Sequence, residues 1–120
     1  MKKKIKLYDS TLRDGAQTKG VSFSLDDKIK IIKALDEIGI DYIEGGWPGA
    51  NPTDDNFFKS LPKLKNSKAV AFGMMRKHGK SAHNDPGLNS VLNSGVSSVC
   101  LVGKSWDFHV KNALKICLLS

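Results

Sequence analysis

The sequence predicts an α/β protein built on a parallel sheet. Three observations carry that expectation. Short β-rich runs alternate with helical patterns at roughly 30 residues per unit, the helical runs carry start and stop signals, and the charged residues gather just after the runs read as strands. At 120 residues and 40% apolar content the chain has the size of one ordinary domain, or of a piece of one.

Lys4 to Asp9 alternates polar and apolar residues and breaks into the turn-rich Ser10 to Gly20, which reads as a short strand followed by a loop. Leu25, Ile29, Ile32, Leu35 and Ile38 recur at helical spacing; Ser24 caps the start, Asp26 and Asp27 sit in the first turn, and Gly39 ends the run. Ile40 to Gly45 is a second β-rich run ending at Glu44, because Gly45-Gly46-Trp47-Pro48-Gly49 is too densely punctuated to continue it. Thr53-Asp54-Asp55 reads as cap and acidic first turn of a short helix through Phe57, Phe58 and Leu61, and Lys68 to Phe72 as a third strand. Asp85-Pro86 opens a helix with Leu88, Val91 and Leu92 on one face, closed by Gly95. Val96 to Val102 is a fourth strand, and a last helical pattern covers Lys111 to Leu119.

Composition excludes several classes. No apolar run approaches the roughly 18 residues that cross a bilayer, and Met1-Lys2-Lys3-Lys4 leads into no apolar signal core, so a cytoplasmic chain with no membrane partner is expected. Cys100 and Cys117 lie far apart, inside apolar stretches, where thiols pack as small hydrophobes; neither a disulfide nor a zinc site is expected. The net charge of +7 is spread over scattered Lys and Arg without interleaved aromatics, which describes a solvated surface better than a nucleic-acid face.

Arg13 and Asp14 follow the first strand, Glu44 ends the second, Arg76 and His78 follow the third, and Lys104 follows the fourth. Each falls at a strand's C-terminal end, where loops of parallel α/β folds converge on rigid supports to form active sites. Two architectures satisfy the periodicity. A small doubly wound sheet suits the length; a (β/α)8 barrel takes about 250 residues, so four units would be half of one. His78 and His83 lack ligand spacing and are expected to be solvated, and His109, just inside a helix capped by Ser105 or Asp107, is expected to pack rather than react.

The segment Asp9-Ser-Thr-Leu-Arg-Asp-Gly-Ala-Gln17 resembles the T-L-R-D-G-x-Q signature of the 2-isopropylmalate, homocitrate and citramalate synthase family. Tyr42-Ile-Glu-Gly-Gly-Trp-Pro-Gly49 with Asn51-Pro52, Val70-Ala-Phe-Gly73 and Gly103-Lys-Ser-Trp-Asp-Phe-His-Val110 resemble its citramalate synthase branch, so the likeness runs from about Leu7 to about Leu114. The resemblance implies a partial TIM (β/α)8 barrel, with residues 1–120 as the N-terminal, truncated part of a catalytic domain. It further implies condensation of acetyl-CoA with pyruvate to (R)-citramalate in isoleucine biosynthesis, with 2-isopropylmalate or homocitrate synthase, or an inactive fragment, as alternatives. By the same resemblance Asp14 binds a divalent metal (Mn2+, Mg2+ or Zn2+), Arg13 is catalytic and substrate-binding, Gln17 is substrate-binding, and Glu44 lies beside the 2-oxo acid as a catalytic and substrate-binding residue or, equally, is a salt-bridged barrel-layer residue. A homodimer is implied for the full-length protein.

The residue types suit that chemistry independently of the family. A 2-oxo acid chelates a hard cation through its keto and carboxylate oxygens. A guanidinium beside it stabilises the negative charge that develops when an acetyl thioester is deprotonated. The family completes its metal site with a His-x-His pair and an Asn far downstream, which this sequence does not contain, and Lys115 to Ser120 departs from the acidic helix usual there. With Asp14 as single ligand, the isolated 120-residue chain is expected to be inactive.

Overall fold

The computed structural model describes residues 2–116. Its sheet contains β1 (Tyr8–Asp9), β2 (Tyr42–Gly46), β3 (Lys68–Met74) and β4 (Ser98–Val102), all parallel and in the order β1-β2-β3-β4. Helices α1 (Leu25–Glu37), α2 (Pro52–Lys59) and α3 (Pro86–Leu92) fill the connections, and α4 (Asp107–Asn112) follows β4. Sheet order that follows chain order, without a reversal, is the arrangement of a barrel segment; a doubly wound sheet turns back at a switch point.

Alternation along the strands sorts the two faces. Ile43, Ala69 and Ala71 face the helices and join Leu12, Ile32, Phe57, Phe58 and Val91 in the buried core. Gly45 and Gly73 let the helices approach: a Cβ on Gly45 would meet Phe57 Cε1 at 2.6 Å, and one on Gly73 would meet Val91 Cγ2 at 2.5 Å. Tyr8, Glu44, Phe72 and Cys100 share the opposite face. Strands lie about 4.8 Å apart, so β1 and β4 would be some 14 Å apart in a flat sheet. The Tyr8 hydroxyl nonetheless lies beside the Cys100 thiol, which requires the sheet to curl with this face concave.

Local chemistry explains most boundaries. Ser24 Oγ accepts from Asp27 N–H at 3.1 Å while the Asp27 carboxylate accepts from Ser24 N–H at 2.9 Å, a reciprocal cap that starts α1. Gly39 adopts φ +84° just past its end, a conformation glycine takes without a Cβ penalty. Asp36, buried near the end of α1, accepts backbone N–H bonds from Lys65, Asn66 and Ser67 at 2.8–2.9 Å and so fixes the entry to β3.

Several expected boundaries are corrected. β1 covers Tyr8–Asp9 instead of Lys4 to Asp9, because it pairs only with β2, and Leu7 N–H is taken by the Asp41 carboxylate. β2 runs to Gly46, past Glu44, through an irregularity in its register with β3. β3 extends to Met74, and β4 starts at Ser98 rather than Val96. The cap of α2 is Asn51, not Thr53: its side chain accepts from Asp54 N–H at 2.8 Å, and Pro52 occupies the first turn. The last described helix is Asp107–Asn112, entered at Trp106 without a side-chain cap from Ser105 or Asp107. Residues 113–116 of the Lys111 to Leu119 pattern are not helical; its remainder, with Cys117, lies outside the described residues.

Candidate active site

The loop after β1 is wound tightly: the Ser10 carbonyl accepts N–H bonds from Arg13, Asp14 and Gly15, and a single 3-10 turn covers Gly15–Gln17. Asp9 anchors its start by accepting from the Thr11 N–H at 2.9 Å and the Thr11 hydroxyl at 3.0 Å. This winding buries Leu12 in the helix-side core and turns Arg13 across the mouth of the concave face.

Arg13 is the hub. Its Nε donates to Glu44 Oε1, and its guanidinium carbon lies 4.1 Å from the centre of the Phe72 ring, within cation–π range. Its NH1 group points the other way, 3.4 Å from both Asp14 Oδ1 and Gln17 Oε1. Glu44 is 1% exposed and its second oxygen accepts from the Tyr8 hydroxyl, so both carboxylate oxygens are engaged. Partial burial, then donation to Glu44, with the nearby Cys100 acting the same way, push the Tyr8 hydroxyl well above the ordinary tyrosine range, and Tyr8 remains a neutral donor. Asp14, with a side chain 69% exposed, presents its carboxylate to solvent at the rim.

The four residues singled out in the sequence, Arg13, Asp14, Gln17 and Glu44, thus meet at one place. Arg76, His78 and Lys104 are exposed and make no hydrogen bond or ion pair with that group among the described residues; Arg76 donates to the Lys80 carbonyl at 2.8 Å. His109 packs against Trp106 at 4.7 Å between ring centres. Sequence reasoning missed two participants. Tyr8 was read as part of an alternation, although that alternation puts it and Asp9 on opposite faces; Phe72 was read only as the end of the third strand. Trp47 meets Phe72 edge-on at 5.1 Å and walls a cavity of about 510 Å³ with Pro48, Met74, Lys77 and Asp85.

A hard cation such as Mg2+ takes about six oxygen ligands, several of them waters, and Zn2+ about four ligands. No group of three His, Cys, Asp or Glu able to hold a metal occurs among the described residues, and Glu44 is committed to Arg13 and Tyr8. Asp14 can offer one ligand; these residues do not by themselves make a cation site. What they make is a supported guanidinium beside a solvent-exposed carboxylate at the C-terminal mouth of parallel strands.

Fold and site together define a (β/α)8-barrel segment with a polar centre at the strand tips. Residues 4–118 match the HMGL-like family, and the chain belongs to it. It is 52% identical to the (R)-citramalate synthase of Sulfolobus acidocaldarius over 118 residues, 97% of this chain and 23% of that protein. It is 51% identical to the (R)-citramalate synthase of Aquifex aeolicus over 120 residues, 98% of this chain and 23% of that protein. The 2-isopropylmalate synthase of Sulfolobus acidocaldarius is 31% identical over 95% of this chain and 28% of its own length, so within one organism the likeness is greater to the citramalate enzyme. Among solved structures, the HMG-CoA lyase of Bacillus subtilis superposes with a TM-score of 0.72 at 22% identity, covering 98% of this chain and 39% of that one, which supports the fold. The chain spans about a quarter of the length of the curated relatives it matches.

Proposed function

We propose that the chain forms the opening part of the catalytic barrel of a cytoplasmic acyltransferase that condenses acetyl-CoA with pyruvate to give (R)-citramalate. The observation that carries this reading is the Arg13 arrangement: a guanidinium fixed on one side by Glu44 and Phe72 leaves its NH1 edge facing Asp14 and Gln17. A fixed positive charge of this kind stabilises oxyanion character without reorganising during the reaction. The reaction removes a proton from the acetyl methyl, forms a carbon–carbon bond to the keto carbon as the carbonyl π bond breaks and its oxygen takes up a proton, and releases CoA thiol when water cleaves the thioester. Arg13 meets the negative charge that develops on the thioester or keto oxygen. Glu44 acts through Arg13 as a positioning residue, and Gln17 contributes an amide at the rim. Asp14 supplies one carboxylate toward a divalent cation whose other ligands lie outside this chain's described residues.

The 52% identity to a citramalate synthase, against 31% to the 2-isopropylmalate synthase of the same organism, supports pyruvate over 2-oxoisovalerate as the acceptor. Thiol release by the full-length protein, with acetyl-CoA and Mn2+ or Mg2+, tests this. Turnover is expected with pyruvate, with at least a tenfold lower kcat/KM for 2-oxoisovalerate, a margin that one pocket contact supplies. Equal or reversed preference rejects the citramalate assignment. The 120-residue chain alone is expected to release no thiol, since no complete set of cation ligands occurs among its described residues.

A further inference from the structure

Lys28 is among the largest side chains buried outright in the described residues, at 1% exposure, although it lies on a helix with solvent available on its far side. Its Nζ is 2.5 Å from Asp54 Oδ1 and 5.0 Å from the centre of the Phe57 ring. Asp54 Oδ2 accepts the Trp47 N–H at 2.9 Å. The same carboxylate lies against Gly46, where a Cβ would come within 2.7 Å of it and where φ is +152°. A buried ion pair between two helices is no better a source of stability than a well-packed apolar pair, because both ions must be desolvated. The pair's second partner, a backbone amide in the loop leaving β2, is what an apolar pair could not serve.

From Trp47 the contacts lead back to Arg13. Trp47 meets the Phe72 ring edge-on at 79°, Phe72 carries the Arg13 guanidinium, Arg13 donates to Glu44, and Glu44 stands two residues before Gly46 on the same strand. We infer that Asp54 is a positioning residue that holds the β2 loop by accepting the Trp47 N–H, with Lys28 as the counter-ion that lets its carboxylate be buried, and that through Trp47 and Phe72 it sets the Arg13 guanidinium across the active-site mouth. This assignment rests on Arg13 being the functional centre.

The contrast that isolates the Trp47 hydrogen bond uses two full-length double variants, both lacking the ion pair. Lys28→Met with Asp54→Asn keeps a side-chain oxygen for the Trp47 N–H, and Lys28→Met with Asp54→Leu does not. Melting temperatures within a few degrees of each other are expected. The Asn variant is expected to retain kcat within about threefold of wild type, and the Leu variant to lose about tenfold or more in kcat with little change in KM, the pattern of lost transition-state positioning. Acrylamide quenching of Trp47, obtained by difference from matched Trp47→Phe proteins, is expected to rise only in the Leu variant. Equal kcat and equal quenching in the two variants would overturn the proposal, leaving the pair a packing contact. If the Leu variant does not fold, Lys28→Met with Asp54→Val takes its place in the same comparison. A wild-type protein that fails to condense acetyl-CoA with pyruvate refutes the functional reading instead, and the quenching contrast still decides the positioning role.

Discussion

Arg13 is held by its shape as much as by its charge, since stacking on Phe72 and donation from Nε to Glu44 both need a planar guanidinium. Arg13→Lys keeps the charge and keeps Glu44 paired, yet cannot reproduce both contacts; kcat of the full-length enzyme should fall by about a hundredfold or more with little change in melting temperature. Asp36 gives a pH prediction. The Lys65 N–H bond, joined by those of Asn66 and Ser67, outweighs burial and holds its carboxyl below the ordinary value of 3.8. A depressed carboxyl binds fewer protons in the folded state, so its contribution to stability is present above pH 3.8 and is lost as pH falls through the lower folded value. Denaturant titrations below about pH 4 should show wild-type stability falling with acid, and Asp36→Asn should be less stable at neutral pH with a shallower acid dependence. At this scale the sequence exposed its chemistry unevenly. Arg13, Asp14, Gln17 and Glu44 stood out because charge in a turn-rich motif is conspicuous, whereas the partners of Glu44 and Arg13 are ordinary-looking aromatics. Lys28 was visible in principle, three residues after Leu25 and four before Ile32, on the apolar stripe of α1.

The same asymmetry holds for elements. The limits of α1 were legible because Ser24, Asp27 and Gly39 are local instructions whose effect does not depend on distant residues. The limits of the strands were not, since a strand exists only as far as its neighbour pairs with it; Lys4 to Leu7 has the alternation of a strand but lies outside the paired stretch of β1. The approach of α2 to β2 depends on Gly45, which alternation identifies as helix-facing but which only packing shows to be filled by Phe57. Gly45→Ala should therefore destabilise by about 1–3 kcal/mol in chemical denaturation, the cost of overpacking a closed site. That cost should diminish when combined with Phe57→Leu, which removes the atom in the way.

At the level of the whole molecule, length and periodicity favoured a small doubly wound sheet while the family motifs pointed to a barrel segment, and the strand order is that of the barrel segment. The helix-facing side of β4 remains open at Val99 and Leu101, each 47% exposed, beside a strand edge without a partner among the described residues. Apolar surface next to an unpaired edge invites association. Sedimentation velocity of the 120-residue chain should show concentration-dependent self-association, and Val99→Lys with Leu101→Lys should shift its onset to at least severalfold higher concentration. Sheet order that repeats chain order has one more consequence, for synthesis. Every strand pairs with its immediate predecessor, so each new βα unit leaving the ribosome finds its docking surface already made, and long-range closure entropy is confined to short loops. The chain can accordingly grow as a folded ribbon, unit upon unit, with nascent segments gaining protease resistance stepwise instead of all at once.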